Sequence, residues 1–358
     1  MSARFSSYGN FGTYFTNNSD PLSMSATRWG IVSAGKISHD FCVALSTLSF
    51  DEHKIVAVAA RDRARAEEFA KKHKIPNAFG TYTELADFKD VDVVYIGALN
   101  PQHYEIGMLM LEHGKHVLCE KPLCLNLYQA KNLIQYAERK KLFLMEAVWS
   151  RFFPAYQYLR KQIQTGMLGE IQEVEVSFGF SLINVDRLSK NDLGGGVILD
   201  LGIYAIQVSQ WAFQEPPVKI VANGEVNTEG VDIAVNAELH YTRNRISKIS
   251  LSGKKQLDNK AIIKGTKGEI TLINFWCPIK IIDIDGKERE WVLPNGSHPT
   301  NFMNSEGLRY EAEAVRQALI NGKIENETVS HNDSLLFARI EDEIRQQVGV
   351  VYNDEKVN

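Results

Sequence analysis

Trp29-Gly30-Ile31-Val32-Ser33-Ala34-Gly35-Lys36-Ile37-Ser38 is the stretch that decides the fold. Its first residues form an apolar run of strand length. From Ile37 the apolar side chains Ile37, Phe41, Ala44, Leu45 and Leu48 recur at helical spacing. The turn between them, with Gly35 inside it, joins a strand directly to a helix. The same alternation continues outward. Residues 54–60 read as a second strand and 63–73 as its helix; 91–97 precede a helix over 102–112; 116–119 precede a long helix over 126–140; 142–147 form another strand. Strands that are almost wholly apolar, each followed by a helix, imply a parallel sheet covered on both faces.

The pattern changes near Trp149. A short helix over 154–164 precedes an alternating strand at 171–180. Gly194-Gly195-Gly196 then opens an apolar helix predicted over 197–213. Strand-like runs follow at 218–226, 231–241, 246–251, 261–273 and 279–284, with turn signals such as Asp285-Gly286 and Asn295-Gly296. Two amphipathic helices close the chain, near 308–320 and 334–348. The predicted fold class is therefore α/β. A Rossmann, doubly wound parallel sheet over 24–148 precedes an α+β domain over 149–358 with a large, mainly antiparallel sheet, whose final helices can pack back on the first domain. Residues 1–23, rich in Ser, Asn, Gly, Tyr and Phe, show no periodicity and read as a disordered extension. Met24 offers an alternative start.

The chain has 358 residues, 44% hydrophobic, with 40 basic and 44 acidic side chains and a formal net charge of -4. No long block of one sign favours nucleic acid or a membrane surface as partner, and no apolar run reaches the ~18 residues of a membrane span. Cys42, Cys119, Cys124 and Cys277 form no C-x-x-C pair and no zinc-ligand spacing, so no metal site is expected. So few cysteines suit a reducing compartment, and the expected location is cytoplasmic.

Chemistry concentrates at predicted strand ends, where open α/β sheets bind ligands. Against the dinucleotide fingerprint G-x-G-x-x-G, Ser33-Ala34-Gly35-Lys36-Ile37-Ser38 keeps only the middle glycine, where a side chain would block a pyrophosphate; Ser33 and Ser38 replace the others with small residues. The plain alternative is a βα turn. After the second strand stands Arg61, with Asp62, Arg63 and Arg65 behind it. An arginine here accommodates a 2′-phosphate and an acidic residue holds a ribose 2′-hydroxyl, so Arg61 and Arg65 point to NADP, whereas Asp62 on the ribose would favour NAD. The bland reading is a solvated basic turn with Asp62 as N-cap. Asn100-Pro101-Gln102-His103 and Glu120-Lys121-Pro122 follow the next two strands; Lys121 is a candidate catalytic amine, although most lysines are surface residues. Asp200 and Tyr204, four apart on an apolar helix, share a face and need polar partners there. Their bland reading is a structural pair.

Together these residues resemble the glucose-fructose oxidoreductase / inositol dehydrogenase family, over about 27–352. Glu120-Lys121-Pro122 and the glycine-rich helix with Asp200 carry the likeness. Tyr204, with Glu146-Ala-Val-Trp149-Ser-Arg151-Phe-Phe-Pro154, resembles the subgroup of dimeric dihydrodiol dehydrogenases, also described as NADP-dependent D-xylose dehydrogenases. The resemblance implies Lys121 and Tyr204 as the catalytic pair, with Asp200 orienting substrate. It implies Arg61 and Arg65 on the 2′-phosphate, and His103, Asn100 and Glu120 near the coenzyme. Trp149 and Phe152 would lie near a sugar or dihydrodiol substrate, and a homodimer would form across the second-domain sheet. Two other readings use the same fold: a non-catalytic NADP-binding sensor and a structural protein. A sensor needs no proton-transfer pair, which weighs against the first.

Overall fold

The computed structural model describes residues 26–352; the expectation for residues 1–23 falls outside them. Six strands form the first sheet: β1 (Thr27–Val32), β2 (His53–Ala59), β3 (Asn77–Phe79), β4 (Val93–Ile96), β5 (His116–Glu120) and β6 (Leu144–Ala147). All neighbouring pairs are parallel, in the order β3-β2-β1-β4-β5-β6. The helices between them are α1 (Lys36–Leu45), α2 (Arg63–His73), α3 (Tyr82–Asp87), α4 (His103–Glu112) and α5 (Leu127–Lys140). This is the doubly wound order whose switch point lies between β1 and β4. The predicted parallel sheet is borne out, and its cause is visible: β1 and β4 are apolar because helices cover both faces, with Phe41 of α1 stacked on Tyr95 of β4 at 3.8 Å between centroids.

The second sheet has eight strands: β7 (Ile171–Gly179), β8 (Lys219–Val226), β9 (Asp232–His240), β10 (Ile246–Ser252), β11 (Lys260–Gly265), β12 (Gly268–Ile273), β13 (Lys280–Ile282) and β14 (Glu288–Glu290). Their order is β14-β13-β12-β11-β7-β10-β9-β8. Only β7 and β10 run parallel; the rest pair antiparallel. The inner face, with Val174, Val176, Phe178, Ile249, Ile263 and Leu272, is buried. The outer face carries Glu173, Glu175, Lys248, Ile262, Lys264, Thr271 and Ile282, none of them buried. Edge strand β14 is Glu288-Arg289-Glu290, fully exposed, and such charge discourages further strand pairing.

Helices α6 (Pro154–Gln164), α7 (Asp186–Ser189), α8 (Ile203–Phe213), α9 (Leu308–Ile320) and α10 (His331–Val348) complete the fold. One expectation is corrected. The apolar helix over 197–213 is not α-helical throughout: Ile198–Gly202 is a π-helical turn leading into α8. Such turns are frequent at functional sites, and this one holds Asp200. The whole helical stretch Asn191–Phe213 is long and apolar enough to cross a membrane, but 94% of its apolar window is buried inside the protein.

The last two helices return to the first domain. Glu313 of α9 meets His53 of β2 at 2.8 Å. From α10, Asp342 accepts the Leu127 N–H at 2.9 Å and Arg345 donates to the Leu125 carbonyl at 3.1 Å. At the junction Arg151 is almost wholly buried. It pairs with Asp333 at 3.1 Å, donates to the Thr328 carbonyl at 3.0 Å, and lies between the rings of Trp211 and Phe337. A buried guanidinium is tolerable only with such compensation.

Candidate active site

A cavity of about 940 Å³ opens along the carboxyl ends of β1, β2, β4 and β5, where the second domain closes over the first sheet. One end is lined by Ser33–Ile37, Ala60, Arg61, Asp62, Arg65 and Tyr82; the other by Trp149, Phe178, Phe180, Arg187, Asp200, Tyr204 and Trp276. Asn100, Glu120 and Lys121 lie on its wall as well.

At the first end the weak glycine fingerprint acquires a physical account. Ser33 takes a left-handed backbone, φ 78°, where the fingerprint has glycine; a side chain held there costs about 1–2 kcal/mol. The conformation turns the chain from β1 into α1. Gly35 is the N-cap of α1 and supplies no side-chain cap, so the amides of the first turn have no intrahelical or capping partner among the described residues, an arrangement that suits an anion. A Cβ on Gly35 would meet only ordinary contacts, 3.4 Å at the nearest. Protein packing does not demand glycine there, and the space beside the turn stays open. Ser38 replaces the third glycine and is buried, 3.5 Å from the Val32 carbonyl. The close approach is preserved from the opposite side, because a Cβ at Gly97 would collide with the Ser38 hydroxyl.

Asp62 caps α2, accepting from the Ala64 N–H at 2.9 Å and the Arg65 N–H at 3.4 Å. Its oxygen is thereby engaged as the plain reading supposed. Arg61 and Arg65 flank Tyr82, and no carboxylate pairs with either among the described residues. Two cations left at a helix N-terminus, where the macrodipole disfavours them, suit an incoming anion.

At the other end Lys121, Asp200 and Tyr204 converge. The Lys121 Nζ donates to the Asp200 carbonyl at 2.9 Å and to its Oδ1 at 3.2 Å. It lies 4.8 Å from the centroid of the Tyr204 ring. Burial alone would push the Asp200 carboxyl up; Lys121 and Arg187 outweigh it and hold the group well below the usual range. The Tyr204 hydroxyl accepts the Trp149 indole N–H at 3.0 Å. Burial pushes this phenol well above its ordinary value and Glu120 adds to the rise, while the Trp149 bond pulls the other way. The Lys121 ammonium faces the Tyr204 ring and Asp200 rather than the phenol hydroxyl. Glu120, accepting from the Tyr95 hydroxyl at 2.5 Å, is also raised by burial.

Two further placements differ from expectation. His103 does not line the cavity. It is wholly buried behind the wall, its Nδ1 2.8 Å from the Pro122 carbonyl and its Nε2 3.2 Å from that of Ala98, where it ties two strand-end loops together. Phe152 is likewise absent from the lining and packs in the core. Sequence reading passed over Phe178, Phe180, Trp276 and Arg187. Phe178 stacks on Trp276 at 4.8 Å and meets Tyr204 edge-on at 5.9 Å. The alternation of β7 marked Phe178 as inward-facing, but only the register of the second sheet brings Trp276 to it.

Comparison with known proteins agrees with this geometry. Residues 27–148 match the family model described as oxidoreductase family, NAD-binding Rossmann fold, and residues 156–271 match the GFO/IDH/MocA C-terminal domain. The trans-1,2-dihydrobenzene-1,2-diol dehydrogenase of Danio rerio is 45% identical over 332 residues, 92% of this chain and 99% of that protein. The chain belongs to the GFO/IDH/MocA oxidoreductase family. The Homo sapiens enzyme of the same description is 42% identical over 333 residues, 92% of this chain and 99% of its own. Among solved structures, a 3-ketoreductase from Actinomadura kijaniata, in complex with NADP and TDP-benzene, superposes with a TM-score of 0.77 at 24% identity, covering 92% of this chain and 99% of the other. An aldose-aldose oxidoreductase from Caulobacter crescentus does so with 0.77 at 19%, covering 90% and 97%. At those identities the likeness concerns the fold. This oxidoreductase thus carries a nucleotide-binding Rossmann domain, and the cavity described above lies where its two domains meet.

Proposed function

We propose that the chain is an NADP-dependent dehydrogenase that oxidises a secondary alcohol, or the anomeric hydroxyl of a pyranose, beside a neighbouring hydroxyl: trans-dihydrodiols of aromatic hydrocarbons, D-xylose to its lactone, or both. The observation that carries this is one cavity with two chemistries. A phosphate-ready helix end with Arg61 and Arg65 lies at one end; a lysine, a carboxylate and a phenol among aromatic rings lie at the other. The relatives' printed descriptions supply the dihydrodiol as candidate substrate. An aromatic wall of Trp149, Phe178, Phe180 and Trp276 suits either a hydrocarbon ring or the apolar face of a pyranose.

The residues present fit the coenzyme. Gly35 leaves room that packing does not need, the α1 amides would hold its pyrophosphate, and Arg61 with Arg65 would hold a 2′-phosphate. When bound, NADP supplies the hydride acceptor. Tyr204 is assigned the proton: its oxygen, held by the Trp149 N–H, takes up the proton of the substrate hydroxyl as the phenolate. Lys121 and Asp200 fix one another and present an ammonium beside that oxygen, where it favours alkoxide character. The homodimer belongs to this reading, through the outer face of the second sheet, as does a cytoplasmic location, which suits four buried thiols without a disulfide.

The test is turnover. Purified protein is given NADP or NAD with a trans-dihydrodiol or D-xylose, and reduced coenzyme is followed by absorbance. Turnover with NADP and either alcohol is expected. Tight NADP binding without turnover of any alcohol would leave the sensor reading in its place.

A further inference from the structure

Arg187 enters the chemistry described so far only as a neighbour that helps keep Asp200 ionised, yet it points at the centre of the site. It stands on α7, a single turn in the connection between β7 and the glycine-rich segment Gly194–Gly196, and lines the cavity from the second domain. Its Nη1 lies 3.0 Å from Asp200 Oδ1, the oxygen that Lys121 also contacts at 3.2 Å. Lys121 and Asp200 are 13% and 12% exposed at the side chain, whereas Arg187 is 42% exposed. The arginine therefore lies over a nearly closed ion pair as its open, cavity-facing member.

Asp200 carries a single charge, and two cations face it. Lys121 already balances its charge, so the three groups together leave one positive charge in excess. A guanidinium carries five N–H donors in a planar fork, and the contact with Asp200 occupies one nitrogen. Among the described residues no other hydrogen bond from Arg187 is present. The remaining donors border a cavity whose other walls at this end are largely aromatic and offer a substrate few polar partners. A vicinal diol brings one oxygen to the reacting position and must place its neighbour somewhere close by.

We infer that Arg187 is a specificity-determining residue that binds the non-reacting hydroxyl of a vicinal-diol substrate while Tyr204 and Lys121 serve the reacting one. This rests on the dehydrogenase reading above. It implies that compounds lacking the second hydroxyl are turned over poorly, because they forgo the charged hydrogen bond from the guanidinium. A hydrogen bond to a charged group is worth ~1.5–3 kcal/mol, about 10–150-fold.

The experiment compares D-xylose with 2-deoxy-D-xylose, and a trans-dihydrodiol with its analogue lacking one hydroxyl, in wild type, Arg187→Leu and Arg187→Lys. NADP affinity is measured alongside by fluorescence titration. The quantity read is the ratio of kcat/KM for the diol to that for its mono-ol. Wild type should prefer the diol, and Arg187→Leu should lower the ratio roughly 10–100-fold, mostly through KM. Arg187→Lys keeps the charge near Asp200 but not the fork, and should also lower the ratio. NADP affinity should stay near wild type in both variants. If Arg187 merely steadies Asp200, both substrates of a pair lose rate by the same factor; an unchanged ratio, however slow the variants, overturns the assignment while leaving the dehydrogenase reading intact. A wild type that binds NADP and oxidises none of the four compounds overturns that reading itself, and this inference with it.

Discussion

Single residues decide coenzyme and proton. Among the described residues Arg61 and Arg65 have no acidic partner of their own, so replacing both with alanine removes no ion pair there. The double variant should weaken NADP binding by ~2–4 kcal/mol, given ~1.5–3 kcal/mol per charged hydrogen bond and incomplete additivity. NAD binding should change far less. Isothermal titration with both coenzymes checks this, and equal losses for the two would reduce these arginines to a structural role. The phenol makes a second, signed prediction. An ordinary tyrosine titrates near ~10, and Tyr204 is pushed above that by burial and Glu120. The phenolate needed to accept a proton therefore grows only on the alkaline side, so kcat for alcohol oxidation should climb with pH beyond neutrality. Tyr204→Phe should cost ~10²–10⁴-fold in kcat and flatten that climb, with NADP affinity kept. Should Tyr204→Phe keep wild-type kcat and the slope vanish instead in Lys121→Met, the lysine is the base.

Whole elements carry the next level. The strand-helix-strand alternation was legible because β1, β2, β4 and β5 are buried on both faces and must be apolar, while Gly35 and the runs after each strand mark their carboxyl ends. Reading Asp200 and Tyr204 as one face of a helix also gave the right neighbours, although the local winding is a π-turn that periodicity does not reveal. What escaped was whatever depends on the pairing of distant strands. Phe178 and Trp276 meet because β7, β11 and β12 lie side by side, and nothing near either residue encodes that order. His103 escaped differently: it follows a strand end as site residues do, but it faces backward into Pro122 and Ala98. At this scale the proposed dimer is open to test. Ile262, Thr271 and Ile282 lie in register across β11, β12 and β13 on the outer face, beside the ion pairs of Glu173 with Lys248 and Lys264 and of Glu175 with Lys264. Ile262→Asp places a charge at the β11 end of that row, beside Glu175. Light scattering should give about twice 40.4 kDa for wild type and half of that for the variant; a monomeric wild type removes the dimer from the reading.

Across the whole molecule, the seam between the domains is held by buried charge, and its pH response can be derived. Glu146 ends β6 beneath the site, wholly buried, and accepts the Leu123 N–H at 2.9 Å, which fixes the segment just past Lys121. Ser334 and Asp333 of α10 and Arg151 of the junction face it, and Glu341 of α10 lies near enough to be raised by it. Burial pushes the Glu146 carboxyl up to about 7, against the pull of Ser334, the Leu123 N–H and Arg151. Below an unfolded value of ~4.3 the group is neutral in both states and has no effect on the balance. As pH rises from there toward 7, the unfolded chain releases the proton and the folded chain keeps it, so stability falls; above about 7 the loss is complete. At 1.36 kcal/mol per unit, the total is about 4 kcal/mol. Glu146→Gln keeps an oxygen for the Leu123 N–H and has nothing to titrate. Histidines and other buried acids titrate in both proteins and largely cancel in the comparison. The melting temperature of Glu146→Gln should therefore gain on wild type as pH goes from 5 to 8, and relief of Glu341 acts in the same direction. A difference that stays constant across that range would mean that the carboxyl is ionised in the fold throughout, with Arg151 and the Leu123 N–H outweighing burial.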